Sequence, residues 1–159
     1  MPIHNHFNFE PNPSNPSQLR PGPSGLAAFG PIMQVEVSIP DELAQYFTEN
    51  NMPIPSPLTG IGLIDTGASI TAVDVSIIQQ LGIQPVGVSN VYTPQGSTQQ
   101  ELFPIKLAFI GGPPITINFS SVLGSELINQ GIIALLGRDV LSNCILIYNG
   151  TAGHFSLSM

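Results

Sequence analysis

An apolar run, Gly60–Ile64, ends at a single carboxylate, Asp65, and the residues behind it, Thr66, Gly67, Ala68 and Ser69, are all small. No other stretch constrains the chain as tightly. Ile61–Ile64, broken only by Gly62, reads as a strand entering a core. An acid at the end of such a strand must open onto a cleft, be hydrogen-bonded or be neutralised, because a bare buried charge is too costly. The small residues allow a tight turn whose N–H groups point back at the carboxylate. The plain alternative is a strand and a turn in which Asp65 bonds its own backbone and no chemistry is attached.

Length and composition narrow the rest. The chain has 159 residues, enough for one domain and not comfortably two. Sixteen Gly, sixteen Pro and no Trp, with few runs of helical period, favour an all-β domain with many turns. Three basic residues stand against ten acidic ones, a net charge of -7. That balance argues against a nucleic-acid partner, since no basic stripe is present to neutralise phosphates. Cys144 is the only cysteine, so no intrachain disulfide can staple the fold, and its thiol is expected to be buried and unreactive. His4 and His6 sit close together near the N-terminus and could bind metal opportunistically, but no metal site or cofactor is expected. The start of the chain lacks a basic region followed by an apolar core, and no apolar run reaches transmembrane length. The expectation is a cytoplasmic protein with no membrane partner.

Residues 1–31 read as a flexible tail. Pro11, Pro13, Pro16, Pro21 and Pro23 alternate with Asn, Ser, Gln and Gly, leaving little apolar surface to offset the entropy of ordering. It is expected to be a linker, with a pro-segment lying in a cleft as the second reading. The domain proper is expected over 32–159. Met33, Val35, Val37 and Ile39 alternate with polar residues, a half-buried strand that Pro40 ends. Asp41–Asn50 is predicted as a short helix with Leu43, Ala44 and Phe47 on one face, followed by a proline-bearing loop to Thr59. Ile70–Asp74 is a second strand or turn, and Asp74 is placed to cap a helix Val75–Leu81 that Gly82 stops. Pro85–Tyr92 and Thr98–Ile110 flank the clearest turn in the chain, Thr93–Pro94–Gln95–Gly96–Ser97, and together predict a β-hairpin. Ile115–Phe119 alternates as another strand, and Ser120–Asn129 is ambiguous. Ile132–Leu136 is a buried strand ending in Gly137–Arg138–Asp139, with a short helix over Arg138–Ser142. Cys144–Tyr148 and His154–Ser158 are the last two strands, joined through the hairpin signal Asn149–Gly150.

Asp65–Thr66–Gly67–Ala68–Ser69 after an apolar strand resembles the catalytic motif of aspartic proteases, and is closest to the retroviral-type enzymes, the retropepsins, with their cellular and bacterial relatives. The second signature lies about seventy residues on, where Ile132–Leu136 and Gly137–Arg138–Asp139 resemble the apolar–apolar–Gly element and short helix of the same family. Leu81–Gly82 matches the element that follows the catalytic loop there. The likeness covers roughly Ile32–Leu157, with residues 41–57 unmatched.

What this resemblance implies is a retropepsin-like acid protease fold: a closed, β-barrel-like domain with one or two short helices, working as a homodimer. Asp65, Thr66 and Gly67 would be the catalytic loop. Ala68, Ser69 and the flap residues Tyr92, Thr93, Pro94, Gln95, Gly96 and Ser97 would bind substrate. Gly137, Arg138 and Asp139 would be structural, and the terminal strand with Phe155 and Leu157 would interleave across the dimer axis. Arg138 departs from the retroviral scheme, because Ser69 stands where those enzymes often carry an acid for the arginine. It must find Asp139, Asp74, backbone carbonyls or another acid.

The motif occurs once. The implied activity, peptide-bond hydrolysis by a water held between two aspartates, therefore needs two chains, so the implied partners are a second copy in a C2 homodimer and a peptide or protein substrate. The alternatives are a catalytically inactive module of the same fold, used for dimerisation or peptide binding, and an unrelated all-β structural protein.

Overall fold

The alternation Met33–Val35–Val37–Ile39 does form a strand with its apolar side chains inward, and the rest of the chain builds on it. The computed structural model describes residues 1–93 and 96–159. In chain order the elements are β1 (Ile3–Phe7), β2 (Phe9–Asn12), β3 (Asn15–Pro21), α1 (Pro23–Phe29), β4 (Ile32–Ser38), α2 (Asp41–Glu49) and β5 (Leu58–Ile64). Then come β6 (Ala72–Asp74), α3 (Val75–Gln80), β7 (Gly87–Thr93), β8 (Gly96–Phe109) and β9 (Ile115–Ser125). A single 3-10 turn (Ile128–Gln130) leads to β10 (Ala134–Leu136), α4 (Arg138–Leu141), β11 (Ile145–Asn149) and β12 (His154–Ser158). The chain is mostly β, as its turn-rich composition predicts.

Seven strands form one sheet in the order β4-β5-β10-β6-β9-β8-β7. β4 also pairs with β8, Val37 opposite Leu107, so six of these strands close into a ring and only β7 hangs outside it. The inward residues Val35, Val37, Val73, Ile105, Leu107 and Leu136 fill the ring with no exposed surface. Burying each contributes about 1.5–3 kcal/mol relative to exposure. β10 lies between β5, to which it is parallel, and β6, to which it is antiparallel. Leu136 is thus opposite Ile64, and the residues after both strands, Gly137 and Asp65, leave the sheet at the same end. α2 lies outside the ring, with Leu43, Ala44 and Phe47 against the core as the spacing predicts, and Asp41 at its start meets Lys106 on β8 (2.6 Å).

Residues 1–31 are not a loose tail. β1 pairs along its whole length with β12, Ile3 opposite Ser158 and Phe7 opposite His154, and β11 pairs with the other edge of β12. α1 inserts Leu26 into the main core with no exposed surface. The prolines that argued for disorder are accommodated locally. Pro11 and Pro21 sit in the separate two-stranded ribbon β2–β3, where few backbone donors are needed, and Pro23 opens α1, a position that requires no N–H. The apolar pattern of β1 also misleads: Ile3 and Phe7 are exposed, while His4 and His6 turn inward. His4 donates from Nε2 to the carbonyl of Pro113 (2.7 Å), and His6 stacks on Phe155 with ring centroids 4.9 Å apart.

Two other differences are smaller. The ambiguous stretch after Phe119 continues β9 to Ser125, because Val122 and Leu123 are buried and pair across a bulge in β8 near Phe103. β7 and β8 pair up to Thr93 opposite Gly96, while the expected flap-tip residues Pro94 and Gln95 lie outside the described residues.

Candidate active site

Asp65 follows the last residue of β5, and its backbone N–H donates to the carbonyl of Leu136 (3.0 Å), so the strand pairing continues one step past the sheet into the loop. The loop then turns on itself. Gly67 N–H donates to Asp65 Oδ1 (2.7 Å), and Ala68 N–H to the Asp65 carbonyl (3.3 Å). A Cβ at Gly67 would lie 3.0 Å from that carboxylate oxygen, a tight contact that the side chain would have to yield to. Among the described residues no donor meets the other oxygen, Oδ2, and the side chain is half-buried. One oxygen is therefore fixed and the other is available. Thr66 and Ser69 are exposed and Ala68 is half-buried.

The segment after β10 holds this loop at successive points. Arg138 N–H donates to the Ala68 carbonyl (2.9 Å). Arg138 Nη1 donates to the carbonyls of both Thr66 and Gly67, each at 2.9 Å. Of the partners open to Arg138 from the sequence, the backbone carbonyls are the ones it meets. Asp139 has a different task. Its Oδ2 accepts from Thr71 N–H (2.9 Å), and its Oδ1 accepts from the Thr71 hydroxyl (2.7 Å) and from its own helix at Val140 N–H (2.9 Å). The same Thr71 hydroxyl accepts from Gly137 N–H (3.1 Å). Gly137 packs so closely on Ile70 that a Cβ would lie 2.7 Å from its carbonyl carbon. Gly137, Arg138 and Asp139 thus form a clasp on residues 65–71. Thr71, fully buried and central to that clasp, was missed by sequence reasoning; the only trace was a hydroxyl residue next to a buried strand.

Asp74, at the end of β6, ties α3 to the turn at Leu127–Ile128. It caps α3 as its position predicted, with Oδ1 accepting from Ser76 N–H (2.9 Å). Its Oδ2 accepts from Leu127 N–H and Ile128 N–H, both at 2.7 Å, which the sequence did not reveal. Burial pushes this carboxyl up, but the hydrogen bonds from Ser76, Leu127 and Ile128 outweigh it and hold Asp74 below the usual carboxylate range.

An apolar surface borders the loop on both sides of its sequence. Leu63 and Ile70, which flank it, are partly buried with Ile61, Leu135, Val91 and Leu102 around a small cluster built on Leu123 and Ile132. Val91 and Leu102 belong to the β7–β8 hairpin, so the base of the expected flap and the Asp65 strand share one apolar patch. Further out the hairpin is open, with Tyr92 81% exposed and Gly96 and Ser97 exposed as well. A shallow, largely apolar cleft lined by Thr66, Arg138, Leu141 and Ser142 lies beside the loop.

Phe155 and Leu157 do not lie on a surface open to a second chain. Both are fully buried in the core of this one, and β12 has a strand on each edge. The expected interface role leaves β1 outside the fold, whereas β1 covers one edge of β12. Cys144 is half-buried against the Val140 carbonyl, and burial pushes its thiol up. Among the described residues no group of three or more metal-ligating side chains gathers, and no helix is long and apolar enough to cross a membrane.

Comparison with known proteins adds little to this geometry. No protein-family model and no curated protein matches the chain. Among solved structures it is similar to a retropepsin-like aspartic protease from Rickettsia conorii, at 16% identity over 98% of this chain and 90% of that one, with a TM-score of 0.41. A likeness at this identity and score carries no inference about this chain.

Proposed function

We propose that this chain is an aspartic-type endopeptidase that acts as a C2 homodimer. The observation that carries this reading is the Asp65 carboxylate itself: it follows β5, a strand of the closed ring, one oxygen is fixed by Gly67 N–H, the other meets no donor among the described residues, and the loop is clasped by residues 136–139. A loop held this firmly around a half-buried acid is more than a turn requires. The closed ring of strands supports the barrel-like fold that the motif implies.

In the proposed mechanism two Asp65 side chains face each other across the two-fold axis. Two carboxylates held close cannot both ionise easily, so the pair shares a proton. The ionised member takes a proton from a water between them, and the protonated member polarises the scissile carbonyl. The water attacks and a tetrahedral intermediate forms, which then breaks with proton transfer to the leaving amine. The substrate is an extended peptide under the β7–β8 hairpin, held by main-chain hydrogen bonds. Apolar side chains around the cut fit the patch formed by Ile61, Leu63, Ile70, Val91 and Leu102. The two-fold contact is assigned to the loop face around Thr66 and the cleft at Leu141, since β12 offers no free edge.

The test is cleavage of a peptide library at mildly acidic pH by the wild-type chain and by Asp65→Asn. The variant is expected to lose activity by about a thousandfold or more, with its thermal midpoint little changed because an amide oxygen can still accept from Gly67 N–H. Activity that survives in Asp65→Asn sinks the mechanism. Peptide binding with no turnover in the wild type would instead support an inactive peptide-binding module.

A further inference from the structure

The strand that hangs outside the ring has an open edge. β7 pairs with β8 on one side, and among the described residues no strand pairs with its other side. Open edges are usually guarded by lysine, proline or a bulge, because their free N–H and C=O groups invite another strand. β7 carries no charge, no proline and no bulge against β8. Val88 within it and Val86 just before it are 63% and 60% exposed.

The chain leading into β7 borders a groove. Ile83, with Pro40, Leu43 and Phe47 of the α2 region and Pro104 of β8, lines an apolar cleft of about 430 Å³. α2 belongs to the stretch 41–57 that the family likeness leaves unmatched, and the proposed mechanism makes no use of it. Two carboxylates stand beside this surface: Glu42 in the lining of the groove, and Glu101 on β8 opposite Val88. Among the described residues neither has an ion pair or a hydrogen bond.

We propose that the open edge of β7 and this groove together bind an extended peptide by strand addition, with an apolar side chain of the peptide in the groove and a lysine or arginine beside Glu42 or Glu101. An extended backbone is what the edge selects, since it presents donors and acceptors at the spacing of the unpaired groups on β7. The apolar anchor matches Leu43, Phe47 and Ile83, and the basic flank matches the two unpartnered acids. A second copy of this chain matches less well, because it would bring two chains of net charge -7 together with Glu101 on both. The surface lies at the root of the β7–β8 hairpin, where Gly87 is opposite Leu102, and not at the end where Thr93 is opposite Gly96. It is therefore a second peptide site beside the cleft proposed under the hairpin, and it stands whether or not the chain cleaves what it binds.

The probe is a blocked hexapeptide of Lys, Val and Thr with a central Phe, titrated into the full chain at neutral pH and followed by backbone amide NMR. The wild type and Asp65→Asn, which cannot cut the peptide, are expected to bind it alike, with the shifts centred on residues 83–90. The same peptide N-methylated at alternate residues is made in both registers, and one of the two is expected to bind about tenfold more weakly or worse, because it removes the donors that face β7. Replacing its lysines by glutamates is expected to weaken binding several-fold, the size of exposed ion pairs. Val88→Lys puts a guarding charge on the exposed edge and is expected to weaken the lysine peptide about tenfold. Equal binding by both N-methylated peptides overturns the proposal, as does equal binding by the glutamate peptide. Shifts confined to residues 65–69 overturn it too, and assign the peptide to the cleft alone. Self-association that Val88→Lys abolishes, with no response to the peptide, overturns it and gives the edge to a second copy.

Discussion

The Asp65 loop and the first thirty residues are both rich in small and polar residues, and they are held in opposite ways. The loop, residues 65–71, is held by side chains reaching to backbone: Arg138 to the Thr66 and Gly67 carbonyls, and Asp139 to Thr71. The N-terminal segment is held mainly by strand pairing with β12 and by buried side chains, Leu26 in the core and His4 on the Pro113 carbonyl. The first kind of support fixes the direction of a few atoms. The second supplies stability but does not aim any reactive group. Polar side chains are thus concentrated around the Asp65 carboxylate, while strand pairing and apolar burial hold most of the remainder.

That contrast can be broken by removing one support from each region. Leu26→Ala is expected to cost about 3 kcal/mol, the usual range for a fully buried leucine, measured by urea denaturation. Peptide cleavage by the fraction that remains folded should be close to wild type. A large loss of activity in the folded fraction would mean that the N-terminal segment does help to aim the site. Thr71→Val is expected to cost less, about 2 kcal/mol, because it removes one hydroxyl and leaves Gly137 N–H without its acceptor. Here the order of effects should invert: a modest change in stability and a clear fall in kcat. If kcat holds, the clasp is structural only.

The smallest effect expected is one of pH, and it sharpens the comparison by separating the regions. Burial, with the neighbouring His4 next, holds His6 below the ordinary histidine range. As pH falls through about 6.5, the unfolded chain takes up a proton there that the folded strand resists, so β1 loses stability on acidification. Asp74 has the opposite sign of group and a lower window. Its folded carboxyl is held down, so its contribution is intact at and above the ordinary carboxylate range and fades only as pH drops below about 4. Hydrogen exchange between pH 7 and 5 should therefore show β1 amides opening while those of β6 and α3 stay protected. Joint opening of both regions would refute the separation.

The local geometry around Asp65 was legible in the sequence because its logic is local. An apolar strand, an acid and a run of small residues lie consecutively at 61–69, and the strand before Gly137 has the same form, so both could be read without knowing the pairing. The Asp74 cap was legible for the same reason, being two residues from its partner Ser76. What escaped was what depends on distant pairing. Thr71 became visible as a support only once Asp139 was beside it. β1 was unreadable because its apolar residues point outward and its histidines inward, a pattern that makes sense only against Phe155 and Phe109. Prolines such as those of the first thirty residues read as breakers in a sequence, yet whether a proline breaks anything depends on whether a neighbour needs its missing N–H.

The pairing of β1 with β12 also sets an order in time. Ile3 lies opposite Ser158, so the first strand waits for nearly the whole chain before it can find its partner. The six strands that close the ring draw their partners from a shorter stretch of chain, Ile32 to Leu136. Closing so long a loop is slow compared with forming neighbouring hairpins. Among the described strand pairs, β1 with β12 therefore closes the longest loop of the fold.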